Sequence, residues 1–133
     1  MISMAELNPK GFQLDAEQAS NLTILHERIN KIRQAYGKPM IVTSGVRSLE
    51  DHKRIYTEKA KKAGQKTFRI PMGSKHLKGA AVDIADPTGE LMKWCKANVE
   101  ELEQALLWCE DGTKGWVHFQ ISPPGSGKRF FLP

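Results

Sequence analysis

Nowhere does the 133-residue sequence hold an apolar run near the ~20 residues that a helix needs to cross a bilayer. Met1 to Phe12 has neither a basic opening nor an apolar stretch. No secretory leader is therefore expected, and the chain is read as made and first held in the cytoplasm. Cysteine is scarce: Cys95 and Cys109 are the only two, too few for a disulfide framework. Both are expected to be reduced and buried. Repeats and linkers are missing too, which leaves a single domain over residues 1–133. A nucleic-acid role calls for a basic stripe with interleaved aromatics, and no recognised motif of that kind is present, so no nucleic-acid partner is expected. Ser126-Gly127-Lys128 looks like the end of a phosphate loop, but no glycine stands five residues before Gly127, and Arg129 replaces the required Ser or Thr.

What remains is an ordinary apolar share of 40%, enough for one core without staples. A chain of this length buries roughly two-thirds of its unfolded surface. The formal charge of +5 favours polyanionic surroundings. Its densest basic stretch, Lys59, Lys61, Lys62, Lys66 and Arg69, is read as a solvated helix end and loop.

Leu22, Leu25, Ile29 and Ile32 recur at helical spacing between Asp15 and Ala35, with Asp15 as the starting cap and Gly37 and Pro39 as the stop. Met40 to Thr43 reads as a strand, and Leu49 to Lys62 as a helix stopped by Gly64. Gln65 to Gly79 reads as loop, followed by a strand over Ala80 to Ala85 that Asp86-Pro87 ends. Thr88 is the expected cap of a helix through Lys96. A further helix is expected over Val99 to Trp108, with Leu102, Ala105 and Leu106 facing inward. Glu110 to Gly115 reads as a turn, Trp116 to Ile121 as a strand, and Ser122 to Pro133 as an irregular tail. Together these give an α+β domain: a small antiparallel sheet with helices packed on it.

The chemistry concentrates in Ser74-Lys75-His76-Leu77-Lys78-Gly79-Ala80-Ala81-Val82-Asp83. Histidine and aspartate both ligate zinc, and Asp83 interrupts an otherwise apolar strand, where a lone carboxylate is costly without a cation. Gly79 and the alanines are read as letting backbone pass close to a metal centre. Alternation along Trp116-Val117-His118-Phe119-Gln120 puts Trp116, His118 and Gln120 on one face of their strand. Taken alone, His118 reads as a half-buried histidine satisfied by a hydrogen bond, but three protein ligands with one open position is the layout of a catalytic zinc site. His26 is read as structural or exposed, and His52, after Glu50 and Asp51, as solvated. Trp94, Trp108, Phe130 and Phe131 are read as core.

The pattern Ser74-x-His76-x-x-Gly79-x-Ala81-x-Asp83, followed by Trp116-x-His118, resembles the zinc D-Ala-D-Ala peptidases. That group includes D,D-carboxypeptidases and phage L-alanyl-D-glutamate endopeptidases, and it shares its fold with the hedgehog signalling domain. Thr43-Ser44-Gly45-Val46-Arg47-Ser48 is similar to the group's arginine-bearing strand-to-helix segment, so the matches run in order from about Ile41 to Gln120.

The resemblance implies zinc held by His76, Asp83 and His118. It also implies a hydrolase acting on peptidoglycan stem peptides, released from the cytoplasm to the cell wall in the manner of a phage endolysin and acting as a monomer. Arg47 matches the arginine that contacts substrate and steadies the oxyanion, with Ser74 and Trp116 placed beside it as substrate-binding residues. A surface ion pair of Arg47 with Glu50 or Asp51 is the plainer alternative. A Ser-His-Asp arrangement of Ser74, His76 and Asp83 is less economical, because no histidine is placed to serve as its base. The sequence departs from the family where many members carry a basic carboxylate three residues before the last histidine, for here that position is Gly115. Glu110 and Asp111 are the nearby acids, and Asp111 is favoured because Gly112 permits a tight turn. A catalytically silent zinc-binding module of the same fold is the rival reading.

Overall fold

The long second helix forms as its sequence suggests. Asp15 accepts from the Gln18 backbone N–H at 2.7 Å while the Gln18 side chain accepts from the Asp15 N–H, a reciprocal cap. Gly37 then closes the helix in the left-handed conformation. This helix, α2 (Ala16–Tyr36), follows a one-turn α1 (Met4–Leu7) that the sequence did not announce. Residue Asn30 of α2 holds the N-terminal segment, exchanging two hydrogen bonds with the backbone of Ile2.

The chain continues through β1 (Val42–Ser44) and α3 (Leu49–Lys62) to a 3-10 turn at Lys75–Lys78. After it come β2 (Ala81–Asp86), α4 (Glu90–Ala97), α5 (Val99–Ala105), β3 (Trp108–Glu110), β4 (Gly115–Gln120) and β5 (Phe130–Phe131). This computed structural model describes residues 1–65 and 73–132; Lys66, Arg69 and Pro71 lie outside the described residues.

The five strands order as β1-β2-β4-β3-β5, antiparallel except for β3 and β5, which run parallel. Alternation sends Val82, Ile84, Cys109, Val117 and Phe119 to one face, where all are fully buried with Leu25, Ile29 and Ile32 of α2 and Leu102 of α5. Each such Val, Ile, Leu or Phe side chain contributes roughly 1.5–3 kcal/mol of burial free energy. The opposite face presents Asp83, His118 and Gln120. The expected α+β class holds, with one parallel pairing in the sheet.

Several local expectations are corrected. Thr88 is not the cap of α4. Asp86, buried at the end of β2, reaches over and accepts from the N–H groups of Leu91 and Met92 at 2.9 and 3.0 Å. The helix expected over Val99 to Trp108 stops at Ala105 because Leu106 turns left-handed, with φ 55°, and its side chain is exposed rather than inward. The Arg28 guanidinium, donating to the Leu106 and Ile121 carbonyls, holds that break in place. Trp108 to Glu110 is therefore strand, and the tail expected to be irregular contributes β5. His52 is fully buried rather than solvated, its ring 4.8 Å from that of Tyr56. Gly79, expected beside a metal centre, instead lets the chain pass α2: a Cβ there would lie 2.9 Å from the Gln18 carbonyl oxygen. Both cysteines are free and buried, as expected.

Candidate metal centre and cleft

Strand pairing builds the site. Asp83 and His118 are direct partners across β2 and β4, so both side chains leave the sheet side by side on the face away from the core. Ala81 and Ala85, two residues either way along β2, share that face and leave room around the carboxylate. His76 comes from the 3-10 turn that precedes β2. Its ring Nδ1 donates to the Gly45 carbonyl at 2.9 Å, which leaves Nε2 free to face Asp83. The neighbouring Arg47 N–H donates to the His76 carbonyl at 3.0 Å, so the turn and the segment after β1 hold each other in register.

The three side chains converge. His118 Nδ1 lies 2.9 Å from one Asp83 oxygen and His76 Nε2 lies 3.3 Å from the other. All three donor atoms fall within 4.8 Å of one another, and His76 is buried. Two ligands of one tetrahedral zinc stand about 3.4 Å apart when each bond is near 2.1 Å. The donor set and its spacing therefore fit a divalent cation of the zinc type. A second partner fixing each histidine, Gly45 for one and Gln120 for the other, is what metal-ligating histidines usually have.

Electrostatics agree with a site for a cation. Burial pushes the Asp83 carboxyl upward, but hydrogen bonds from His118 and His76, with their charges, hold it well below the usual carboxylate range. Burial likewise opposes charge on His118, yet the hydrogen bond to Asp83 and its negative charge outweigh this and raise the ring above its ordinary 6.5. Arg47 stands 4.0 Å from Asp83, its Nε–H donating to Ser44 Oγ at 3.2 Å. The surface pair once open to Arg47 is not made. Asp51 pairs with Lys10 and Arg54 instead.

Around this cluster lies a cleft of about 670 Å³. Arg47, Tyr56, Lys59, Ser74 and Lys75 form part of its lining, together with Trp116, Pro124, Phe131 and Leu132. Ser74 and Trp116, expected to bind substrate, both line the cleft. Ser74 has no base, for Nδ1 of His76 is bonded to Gly45 and Nε2 faces Asp83. Phe131, read as core, instead stands edge-on to the His118 ring with centroids 6.3 Å apart.

The two acids separate. Glu110 lines the cleft, whereas Asp111 is outside it, bonded to Lys96 at 2.8 Å and to the N–H of Gly112. Strand alternation is the reason. Cys109 sits in the core opposite Phe119, so Glu110 must emerge on the face that bears His118. The turn geometry that favoured Asp111 is real, but it folds the carboxylate back onto its own backbone. Gly115, three residues before His118, has φ 91°, a conformation that an acidic residue would adopt only under strain.

No family model matches the chain, and no curated protein matches its sequence. Among solved structures, the fold is similar to that of the L-Ala D-Glu endopeptidase ChiX of Serratia marcescens. The match has a TM-score of 0.50 and 20% sequence identity, and it covers 86% of this chain and 93% of that one. At that identity the likeness shows the fold alone.

Proposed function

We propose that the chain is a zinc-dependent peptidase acting on peptide bonds of bacterial peptidoglycan. The carrying observation is the convergence of His76, Asp83 and His118 in the lining of a cleft. The likeness in fold to an L-Ala D-Glu endopeptidase supports the substrate class. When bound, zinc supplies Lewis acidity, polarising a carbonyl and activating water near neutral pH.

The chain's own residues divide the remaining work. Glu110, which lines the cleft, takes a proton from the attacking water in this reading and returns it to the leaving amine. Arg47, with 15% of its side chain exposed, offers paired donors to a substrate carboxylate or a developing oxyanion. Lys59 and Lys75 add positive charge to the cleft lining, and neither has an ion-pair partner among the described residues. Trp116, Pro124 and Phe131 supply apolar surface. A stem peptide rich in carboxylates suits such a lining. Release to the cell wall from the cytoplasm, as a phage endolysin, and action as a monomer belong to the same reading.

The silent-module alternative rests on the acid missing at position 115; Glu110, in the cleft lining on the neighbouring strand, is the carboxylate proposed in its place. Incubation of the purified protein with cell walls, followed by mass analysis of released muropeptides, tests the reading. Zinc-dependent release that disappears in His76→Ala is expected. Walls left intact by zinc-replete protein would leave the chain a binding module, and the mass of any fragment identifies the bond cut.

A further inference from the structure

We infer that Gln120 is a positioning residue that fixes the ring of His118 so that Nδ1, and not Nε2, faces the metal; the inference rests on the metal-centre reading above. Gln120 is the last residue of β4, paired to Ala81 on one side and Trp108 on the other, and only 4% exposed. Its amide makes two hydrogen bonds that point in opposite senses. The Nε2–H donates to the Ser122 carbonyl at 2.8 Å, and Oε1 lies 3.0 Å from His118 Nε2.

The Ser122 carbonyl decides the orientation. A carbonyl oxygen only accepts, so the amide nitrogen must face it. Reversing the amide would set two acceptor oxygens against each other at hydrogen-bond distance. Oε1 is thereby forced toward His118, and an oxygen accepts only from a ring nitrogen that carries hydrogen. His118 Nε2 is held as N–H, and the lone pair of the neutral ring falls on Nδ1.

Nδ1 is also the atom 2.9 Å from Asp83 Oδ1. Two bare acceptors at that distance repel, so the pair needs a proton or a cation between or beside them. His76 is fixed by the opposite choice, with Nδ1–H on the Gly45 carbonyl and Nε2 turned inward. The two histidines therefore present different nitrogens to one centre, each selected by one acceptor behind it. Both rings come from β4 or the turn beside β2, and a wrong tautomer in either would aim an N–H at the cation.

Two measurements test this. Nitrogen-15 spectra of the zinc-loaded protein should show His118 with hydrogen on Nε2 and metal on Nδ1; metal on Nε2 overturns the inference. Competition with a chromophoric chelator should show zinc bound on the order of tenfold to a hundredfold more weakly by Gln120→Leu. Parent-like affinity in a folded Gln120→Leu would also overturn it. Should that variant not fold, the ring spectrum of the parent decides alone. If the parent takes up no zinc, the metal-centre reading fails, and the zinc-free spectrum still decides whether Nε2 of His118 carries the hydrogen that Gln120 requires.

Discussion

Asp83 and His118 are cross-strand partners in the β2–β4 ladder, and their side chains meet at 2.9 Å on the face of the sheet away from the core. Neighbouring strands lie about 4.8 Å apart, so backbone pairing alone delivers two ligands to within bonding distance of one ion. The third needs only the short 3-10 turn that leads into β2. A site built on paired strands is held by the same hydrogen bonds that hold the sheet, so metal geometry and core stability are coupled.

Glu110→Gln is expected to bind zinc as the parent does and to lose activity by about a hundredfold or more, the low end of a general-base contribution. Asp111→Asn should stay near the parent, because its carboxylate is exposed and tied to Lys96. Steady-state hydrolysis of muropeptides by both variants checks this. Loss in Asp111→Asn with none in Glu110→Gln would reverse the assignment.

Arg47→Lys is expected to fold normally and lose roughly tenfold in kcat/KM, about 1.4 kcal/mol of barrier. A single ammonium cannot keep the bond to Ser44 and still present a paired face to a carboxylate or oxyanion. Circular dichroism and hydrolysis rates on one preparation give the answer; unchanged rates would remove Arg47 from the reaction.

Gly45→Ala tests the support behind His76. A Cβ at position 45 would run into the carbonyl oxygen of Leu7, which already accepts from the Val46 N–H. We expect a loss of about 1–3 kcal/mol in urea unfolding, as for overpacking elsewhere. Zinc affinity should fall with it, since the Gly45 carbonyl is what orients the His76 ring.

The cysteines give a pH prediction. Burial pushes the Cys95 thiol up to about 12, and Cys109 is raised further in the same direction by burial and nearby negative charge. Native protein at pH 8 should therefore resist alkylation, while urea exposes two reactive thiols. The sign for stability follows. The folded state keeps its thiol protons after the unfolded chain has begun to lose them near 9, so stability holds below that pH. It then falls as pH rises toward 12. Urea melts at pH 8 and 10.5 read the slope; a flat profile would mean that the thiols are more accessible than their burial implies.

How far the sequence reached depended on the range of the interactions involved. The α2 boundaries were legible because the cap at Asp15 and the stop at Gly37 are set by residues within one turn. The same holds for β2, where Asp83 interrupts an apolar run, for β4, whose alternation puts His118 on one face, and for the motif that brought in His76 and Arg47. His52 was misjudged because its two acidic neighbours describe only the chain, not what α3 packs upon.

The sequence by itself determined the α+β class, through local periodicity, while the three ligand candidates and Arg47 were named by its resemblance to the zinc D-Ala-D-Ala peptidases. Only the tertiary structure decided which acid enters the cleft. Leu106 breaks α5 without a glycine or proline to announce it, held by Arg28 from a distant helix. That break converts Trp108 to Glu110 into a strand and, through the period of two, sends Glu110 inward and Asp111 out. The parallel pairing of β5, which carries Phe131 to the ring of His118, likewise depends on hydrogen bonds between segments far apart in the chain. Sequence spacing fixes which residues share a face; only packing fixes what that face meets.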